Sequence, residues 1–154
     1  MKKFKFRLET LLKIRQFEED HKKRHVGSLV TEINRQQREA LKLGRSLQEE
    51  GQILKEQYLT GDLDLQRISH YRSFVTAVHQ AIGKRVDAVT QIQGQLSQAR
   101  TELRNARKET KTLEMLKDRQ LERYNRDLQK RQAGQQDEVS ANQHRRRLAD
   151  SRRG

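Results

Sequence analysis

Two histidines come closest, by residue type and spacing, to a site that could do chemistry. His21 and His25 are four residues apart, so on a helix they lie on one face and could share a metal ion. The following turn offers no third ligand of matching geometry. The spacing therefore favours two solvated histidines, and we predict neither a metal site nor a bound cofactor.

Adjacent acidic residues are the other candidates for chemistry, at Glu18 and Glu19 and at Glu49 and Glu50. Acid–base catalysis by a carboxylate needs a pocket that shifts its pKa, and a polar helix offers none. The sequence contains no cysteine, no GxxxxGK[ST] or GxGxxG phosphate-binding motif and no HExxH metal motif. We therefore predict that the protein is not an enzyme.

The composition favours long helices over a compact globule. Of the 154 residues, 36% are charged, only 32% are hydrophobic, and proline is absent. A globular domain is usually about 45–50% apolar, and a chain without proline can sustain uninterrupted helical hydrogen bonding. No apolar stretch approaches the roughly 18 residues that a membrane span requires. Because no apolar core follows the basic N-terminus, we expect a cytoplasmic protein.

Apolar residues recur at the three- and four-residue steps of a coiled coil from Leu8 onwards. With Leu12 at heptad position a, six of the seven a positions of this first seam are apolar. The d positions are poorer, since polar residues such as Arg15 and Gln36 interrupt them. The pattern predicts a first helix over about residues 5–59 that needs a partner.

A second, more regular seam follows. All six of its a positions are apolar, and Arg85 is the one residue out of pattern among its seven d positions. The register weakens at Thr110 and Lys117 and resumes at Leu121, which indicates a stutter. This pattern predicts a second helix over about residues 65–132.

A short polar connection separates the two seams. Gly61 suits a helix C-terminus with positive φ, and the aspartates that follow it can accept hydrogen bonds from the amides beginning the next helix. We therefore predict an all-α fold, a long antiparallel coiled-coil hairpin over residues 1–133 with its turn near residues 60–64. The Gln-, Ser- and Arg-rich residues 134–154 are predicted to form a frayed, flexible basic tail.

Positive charge is spread along the whole chain, with 34 Lys and Arg against 21 Asp and Glu. The formal charge of +13 suits an acidic protein, an anionic membrane surface or nucleic acid. The even spread argues against nucleic acid, because a basic-region DNA-binding protein concentrates its charge in one helix. A generic cytoplasmic coiled-coil scaffold and, with less support, a basic nucleic-acid-binding protein stay open as interpretations.

Three segments of the sequence are distinctive in their order and spacing, and together they span nearly the whole chain. They read FKFRLETLLKIR at residues 4–15, HYRSFVTAV at residues 70–78, and DRQLERY at residues 118–124, followed by QDE at residues 136–138. In this arrangement the chain resembles the FliJ family of flagellar type III export proteins. The resemblance implies a soluble, stalk-like component of the bacterial flagellar export apparatus that performs no chemistry itself.

The resemblance also implies two contact regions. The end carrying both termini would enter the pore of the hexameric flagellar export ATPase ring, and the end carrying the turn would contact the membrane export gate. The residues expected at the ATPase ring are Phe4, Leu8, Leu11, Lys13, Arg15, Arg119, Arg123 and Arg126. The residues expected at the export gate are Tyr58, Tyr71, Phe74, Val78 and Ala81.

Two questions stay open for these regions. The aromatic residues Tyr58, Tyr71 and Phe74 could cap the core of the coiled coil or serve as exposed docking anchors. The coupling could act by rotation, by assembly of the ATPase ring or by gating.

The resemblance further implies escort of export chaperones and peripheral association with the inner face of the cell membrane, in the service of flagellum biogenesis and chemotaxis. We expect the free protein to be a monomer without a nucleic-acid partner or a membrane span.

Overall fold

Two long helices make up the fold. The computed structural model of the protein describes residues 3–62 and 64–151, with side chains through residue 143 and at Arg145. Helix α1 is Glu9–Thr60 and helix α2 is Leu65–Ser151. The described residues contain no strand, and the two helices pack against each other. The predicted all-α helical hairpin is therefore confirmed.

Each helix differs from its predicted length at one end. Helix α1 begins at Glu9, four residues late, because Phe6 is buried ahead of it and the Phe6 carbonyl accepts a hydrogen bond from the Glu9 amide at 3.2 Å. Helix α2 continues to Ser151, well past the predicted end near residue 132. Its last part is rich in Gln, Ala and Arg, and the favourable helix propensity of these residues outweighs the cost of the single glycine there. The flexibility of residues 134–154 stays a prediction.

The turn between the helices is built by one glycine and one aspartate. Gly61 has a φ of 80°, the left-handed conformation that favours glycine. The Asp62 amide donates to the Gln57 carbonyl at 3.0 Å, which completes a Schellman-type end to α1. Asp64 then caps α2, because its Oδ1 accepts a hydrogen bond from the Arg67 amide at 2.6 Å. The turn chemistry predicted from Gly61 and the aspartates is confirmed.

The chain divides into two compact units, and the first, here called the central unit, is Glu18–Ala106. It contains the turn and a pair of antiparallel helical arms. Its buried apolar residues are Ile33, Val78, Leu96, Ala99, Leu103 and Ala106. All six occupy a or d positions of the two predicted seams, so the heptad pattern correctly predicts that these residues are buried.

The second unit, here called the terminal unit, consists of Met1–Phe17 and Arg107–Gly154. Among its described residues, Phe6 and Leu12 are the buried apolar side chains and Thr110 is a buried polar one. The rings of Phe4 and Tyr124 lie 5.7 Å apart at an angle of 50°. A tilted aromatic pair at this spacing is favourable and ties the chain ahead of α1 to α2.

Candidate functional site

The terminal unit carries the first group of predicted contact residues. Phe4 is half-buried by its contact with Tyr124, while Leu8, Leu11 and Lys13 are exposed. Arg15 is half-buried, and its Nη1 lies 3.0 Å from Glu109 Oε2. The predicted residues at the start of α1 therefore include side chains that a partner could reach directly.

The three predicted arginines of α2 share one face of the helix. Arg119, Arg123 and Arg126 are spaced by four and three residues, and all three are exposed. The Nη2 atom of Arg126 lies 3.4 Å from Glu122 Oε2 in an i,i+4 pair. Since Tyr124 contacts Phe4, the structure brings the N-terminal segment beside this arginine-bearing stretch.

The terminal unit also exposes apolar side chains that the sequence analysis did not select. We call the exposed apolar and arginine side chains of this unit the terminal surface. Its apolar members are Leu8, Leu11, Ile14, Phe17, Met115, Leu116, Leu121 and Val139. Phe17 is the most exposed of them, at 67%. Most of them lie at heptad positions outside a and d, and that displacement is the sequence signal that would have found them.

Polar contacts rather than a wide apolar core join the two arms of the terminal unit. Lys117 Nζ lies 2.9 Å from Glu9 Oε2, and the Gln16 amide donates to Glu114 Oε1 at 3.3 Å. Ion pairs between exposed side chains contribute at most about 1 kcal/mol each. The contacts between the two arms of the terminal unit are thus weak, and many of its apolar side chains are exposed.

The second group of predicted contact residues lies in the central unit, towards the turn. Tyr71 and Phe74 are half-buried and line a shallow depression of about 310 Å³. The same depression is lined by Glu50 and Arg67, whose Oε2 and Nη2 atoms lie 3.4 Å apart across the two arms. The structure therefore brings together two of the five predicted gate residues.

The other three predicted gate residues are placed differently. Val78 is only 4% exposed and belongs to the core of the central unit. Ala81 is half-buried, and Tyr58 is 71% exposed. A partner on this surface can reach Tyr58 directly, whereas Val78 supports the surface from beneath.

Gly51 explains how Tyr71 fits. A Cβ atom at position 51 would lie 3.0 Å from Tyr71 Oη, so the absence of a side chain leaves room for the phenol. Gly51 is therefore a packing residue, although in the sequence it resembles a weak point in α1. The phenol against α1 holds the aromatic ring in its half-buried position.

The turn itself exposes further apolar side chains. Leu59 and Leu65 are 72% and 86% exposed, and with Tyr58 they flank the turn on both helices. We call these three residues and the depression beside Tyr71 and Phe74 the turn surface. From residue 50 to residue 74, which spans the turn surface, the chain has four acidic and three basic residues, so this stretch is nearly neutral in a chain of net charge +13. The turn surface thus differs in charge from the terminal surface.

Two other kinds of site are absent from the described residues. Within them, no group of three or more His, Cys, Asp or Glu residues could hold a metal ion. No helix in this part of the chain is long and apolar enough to cross a bilayer.

Comparison with known proteins gives a match at the level of a family. The family model described as "Flagellar FliJ protein" matches residues 4–149, which is nearly the whole chain. Neither the curated proteins nor the solved structures give a match.

Proposed function

The chain belongs to the family of flagellar FliJ proteins, and from this membership we propose that it couples the flagellar export ATPase ring to the membrane export gate. The family makes it a protein of flagellar type III export. The coupling role rests on one observation, the two separate surfaces on which the chain exposes apolar side chains. A protein that connects two partners needs two such surfaces.

The terminal surface is the proposed contact for the ATPase ring. Exposed apolar side chains such as Leu11 and Phe17 supply the area that a protein interface buries. Arg119, Arg123 and Arg126 add three positive charges on one helical face, which would suit an acidic pore lining. Lightly joined arms leave these side chains free to adjust to the pore.

The turn surface is the proposed contact for the export gate. Tyr58 and Phe74 are its aromatic anchors, and Tyr71, which is seated against Gly51, lines the same depression as Phe74. Ala81 extends the same surface along α2. Val78 holds it from the core, so its truncation would act on folding rather than on contact.

The same proposal includes the remaining expectations of the family resemblance. The protein would be a monomer when free, would escort export chaperones, and would work at the cytoplasmic face of the cell membrane without entering it. It would act by binding and coupling, with catalysis left to the ATPase.

Charge reversal on the terminal surface tests the ATPase contact. The triple variant Arg119→Glu, Arg123→Glu, Arg126→Glu should abolish stimulation of the purified export ATPase while helicity by circular dichroism persists. A matched control reverses three exposed arginines of the central unit, Arg38, Arg45 and Arg104, and should stimulate normally. Equal stimulation by both triple variants would exclude the terminal surface as the ATPase contact.

Truncation on the turn surface tests the gate contact. We expect Phe74→Ala to lower affinity for the cytoplasmic part of the gate by about 30-fold, the loss typical of an aromatic anchor. Tyr58→Ala should weaken binding with an unchanged melting temperature, because the ring is exposed. Val78→Ala is the control for folding and should lower the melting temperature. Normal gate affinity in a Phe74→Ala, Tyr58→Ala double variant would rule out this surface.

A further inference from the structure

Two polar residues face each other inside the apolar seam of the central unit. Arg85 is the polar exception among the d residues of the second seam, and Gln36 is a d residue of the first. Arg85 Nη1 donates a hydrogen bond to Gln36 Oε1 at 2.8 Å. Gln36 is only 7% exposed and Arg85 is half-buried. A charged side chain is therefore held in the seam by a partner from the other arm.

Glu32 anchors this pair from α1. Gln36 Nε2 donates to Glu32 Oε1 at 2.7 Å, so the glutamine amide is oriented with its oxygen towards Arg85. Glu32 is itself held by Arg35, whose Nε and Nη2 donate at 2.8 and 2.6 Å. These hydrogen bonds and the positive charge of Arg85 lower the pKa of Glu32 to about 2. Each of the polar side chains in this network therefore has a hydrogen-bond partner.

Such a layer costs stability compared with an apolar pair, because burying a guanidinium is expensive even when it is hydrogen-bonded. In coiled coils, polar residues in the seam instead select the partner and the register. The α2 seam shows why selection is needed here. Its six a positions are apolar, and so are six of its seven d positions, so α2 could also pair with α2 of a second chain.

We propose that the Gln36–Arg85 layer selects pairing between the two arms of one chain and disfavours pairing between chains. In a parallel pair of two α2 helices, identical heptad positions meet, and two Arg85 guanidiniums would face each other without an acceptor. Like charges opposed in an interface cost several kcal/mol. In the hairpin each Arg85 meets Gln36, so the same residue that penalises the dimer is satisfied in the monomer.

The turn cannot make this selection alone. Gly61 and Asp64 favour the hairpin locally, but a hairpin can open at its turn and exchange arms with a second copy. In such an exchanged dimer the Gln36–Arg85 contact can re-form, whereas in the parallel dimer it cannot. The Gln36–Arg85 layer therefore destabilises the parallel dimer of two α2 helices, which the apolar seam of α2 would otherwise stabilise.

The absence of cysteine gives a direct assay for the parallel dimer. A single Val89→Cys substitution, at an a position of α2, places two thiols face to face only when two α2 helices pair in parallel. In the background of the natural Gln36 and Arg85, we expect no disulfide dimer under oxidation and a monomer by light scattering. With Gln36→Leu and Arg85→Leu added, we expect the disulfide dimer, and a dimer dissociation constant lowered at least about 100-fold.

Two further variants make the result specific to the layer. Arg85→Lys keeps a positive charge at position 85, so two parallel α2 helices would still oppose like charges and this variant should stay monomeric. Thr110→Val removes a buried polar group of the terminal unit and should also stay monomeric. If the double leucine variant does not fold, Arg85→Gln alone decides, since it removes the half-buried charge and keeps a polar side chain at position 85.

The outcomes are distinct. Disulfide dimers that form only when the charge is removed from position 85 support the proposal. A monomer in the folded double leucine variant, or in Arg85→Gln, overturns it, as does a natural sequence that already forms the Val89→Cys dimer. A dimer in the Thr110→Val control would show that any lost polar group suffices, and that result would also overturn the proposal.

Discussion

The central and terminal units are built from the same two helices, yet they bury different shares of their apolar residues. In the described part of the central unit, six apolar side chains at a and d positions are buried and seven large apolar side chains are exposed. In the described part of the terminal unit, two apolar side chains are buried and eight large ones are exposed. The difference follows from heptad position, because most of the exposed residues fall outside a and d.

This contrast separates stability from contact. Apolar side chains at a and d bury against the other arm and stabilise the hairpin, at roughly 25 cal/mol per Å² of apolar area removed from water. The same side chains at outer positions contribute little to folding and remain available to a partner. The central unit therefore contributes more of the folding stability, and the terminal unit exposes apolar side chains that a partner protein can bind.

The largest expected effect is a difference in amide exchange along α2. Residues 131–143 are exposed throughout, whereas residues 96–106 include four buried side chains. We expect amides in the core stretch to exchange roughly a thousandfold more slowly than those beyond residue 131, because they open only with the fold. Hydrogen exchange followed by mass spectrometry measures the ratio. It also tests the predicted flexibility of residues 134–154, which equal protection in the two stretches would contradict.

The next effect compares one leucine from each unit. Leu103 is buried in the central unit, and Leu11 is exposed in the terminal unit. We expect Leu103→Ala to lower the free energy of unfolding by about 2–5 kcal/mol. Leu11→Ala should lower it by less, about 1 kcal/mol, since 39% of the residue is already exposed to water. Urea denaturation followed by circular dichroism measures both. If both variants lose a similar free energy of unfolding, the distinction between core residues and contact residues is wrong.

Much of the central unit could be predicted from the sequence. The regular a and d pattern predicted the hairpin and located its core, and Gly61 with the following aspartates predicted the turn. These features depend on local propensity and on a simple period, which a single sequence displays.

The features that escaped prediction depend on the arrangement of side chains in space. Gly51 resembled a defect until its position against Tyr71 was known, and Val78 resembled a contact residue until its burial was known. Arg85 was recognised as out of pattern, but its acceptor lies 49 residues away on the other arm. The end of α2 was missed because composition suggested a tail where helix propensity is sufficient for a helix.

Acid should weaken the central unit through Glu32. Its pKa falls from an ordinary 4.5 to about 2, mainly because Arg35 donates hydrogen bonds to the carboxylate. A lowered pKa in the folded state stabilises the fold above pH 4.5, and this contribution is lost as the pH falls from about 4.5 towards 2. Gln36 and Arg85 share the network, and the neighbouring Glu39 has a pKa lowered mainly by Lys42.

Melting temperature measured between pH 6 and pH 2.5 checks this effect. Glu32→Gln should melt lower than the natural sequence at pH 6, and the gap should close as the pH approaches 2.5. Glu49→Gln, at an exposed position of the same helix, is the control and should follow the natural profile. If the difference in melting temperature between the two proteins is unchanged at pH 2.5, the charge of Glu32 does not stabilise the network.

The smallest expected effects come from three glycine-to-alanine substitutions that compare packing in the two units. Nothing lies within 4 Å of a Cβ atom built at Gly44 or Gly134, whereas one at Gly51 lies 3.0 Å from Tyr71 Oη. Gly44→Ala, in the central unit, should raise the free energy of unfolding by about 0.5–1 kcal/mol. Gly134→Ala should raise helicity without moving the cooperative transition, because its stretch of α2 is exposed in the terminal unit.

Gly51→Ala should gain less than Gly44→Ala or lose stability, because the new methyl group must displace the phenol of Tyr71. Adding Tyr71→Phe removes the contacting oxygen and should restore most of the gain, whereas Tyr71→Phe alone reports the cost of losing the hydroxyl. Thermal and urea denaturation of these three variants and the natural sequence give a double-mutant cycle, which measures the coupling between positions 51 and 71. If Gly51→Ala and Gly44→Ala gain equally and the cycle shows no coupling, Tyr71 is not seated against α1. The depression that Tyr71 and Phe74 line on the turn surface would then lose the packing that we assign to it.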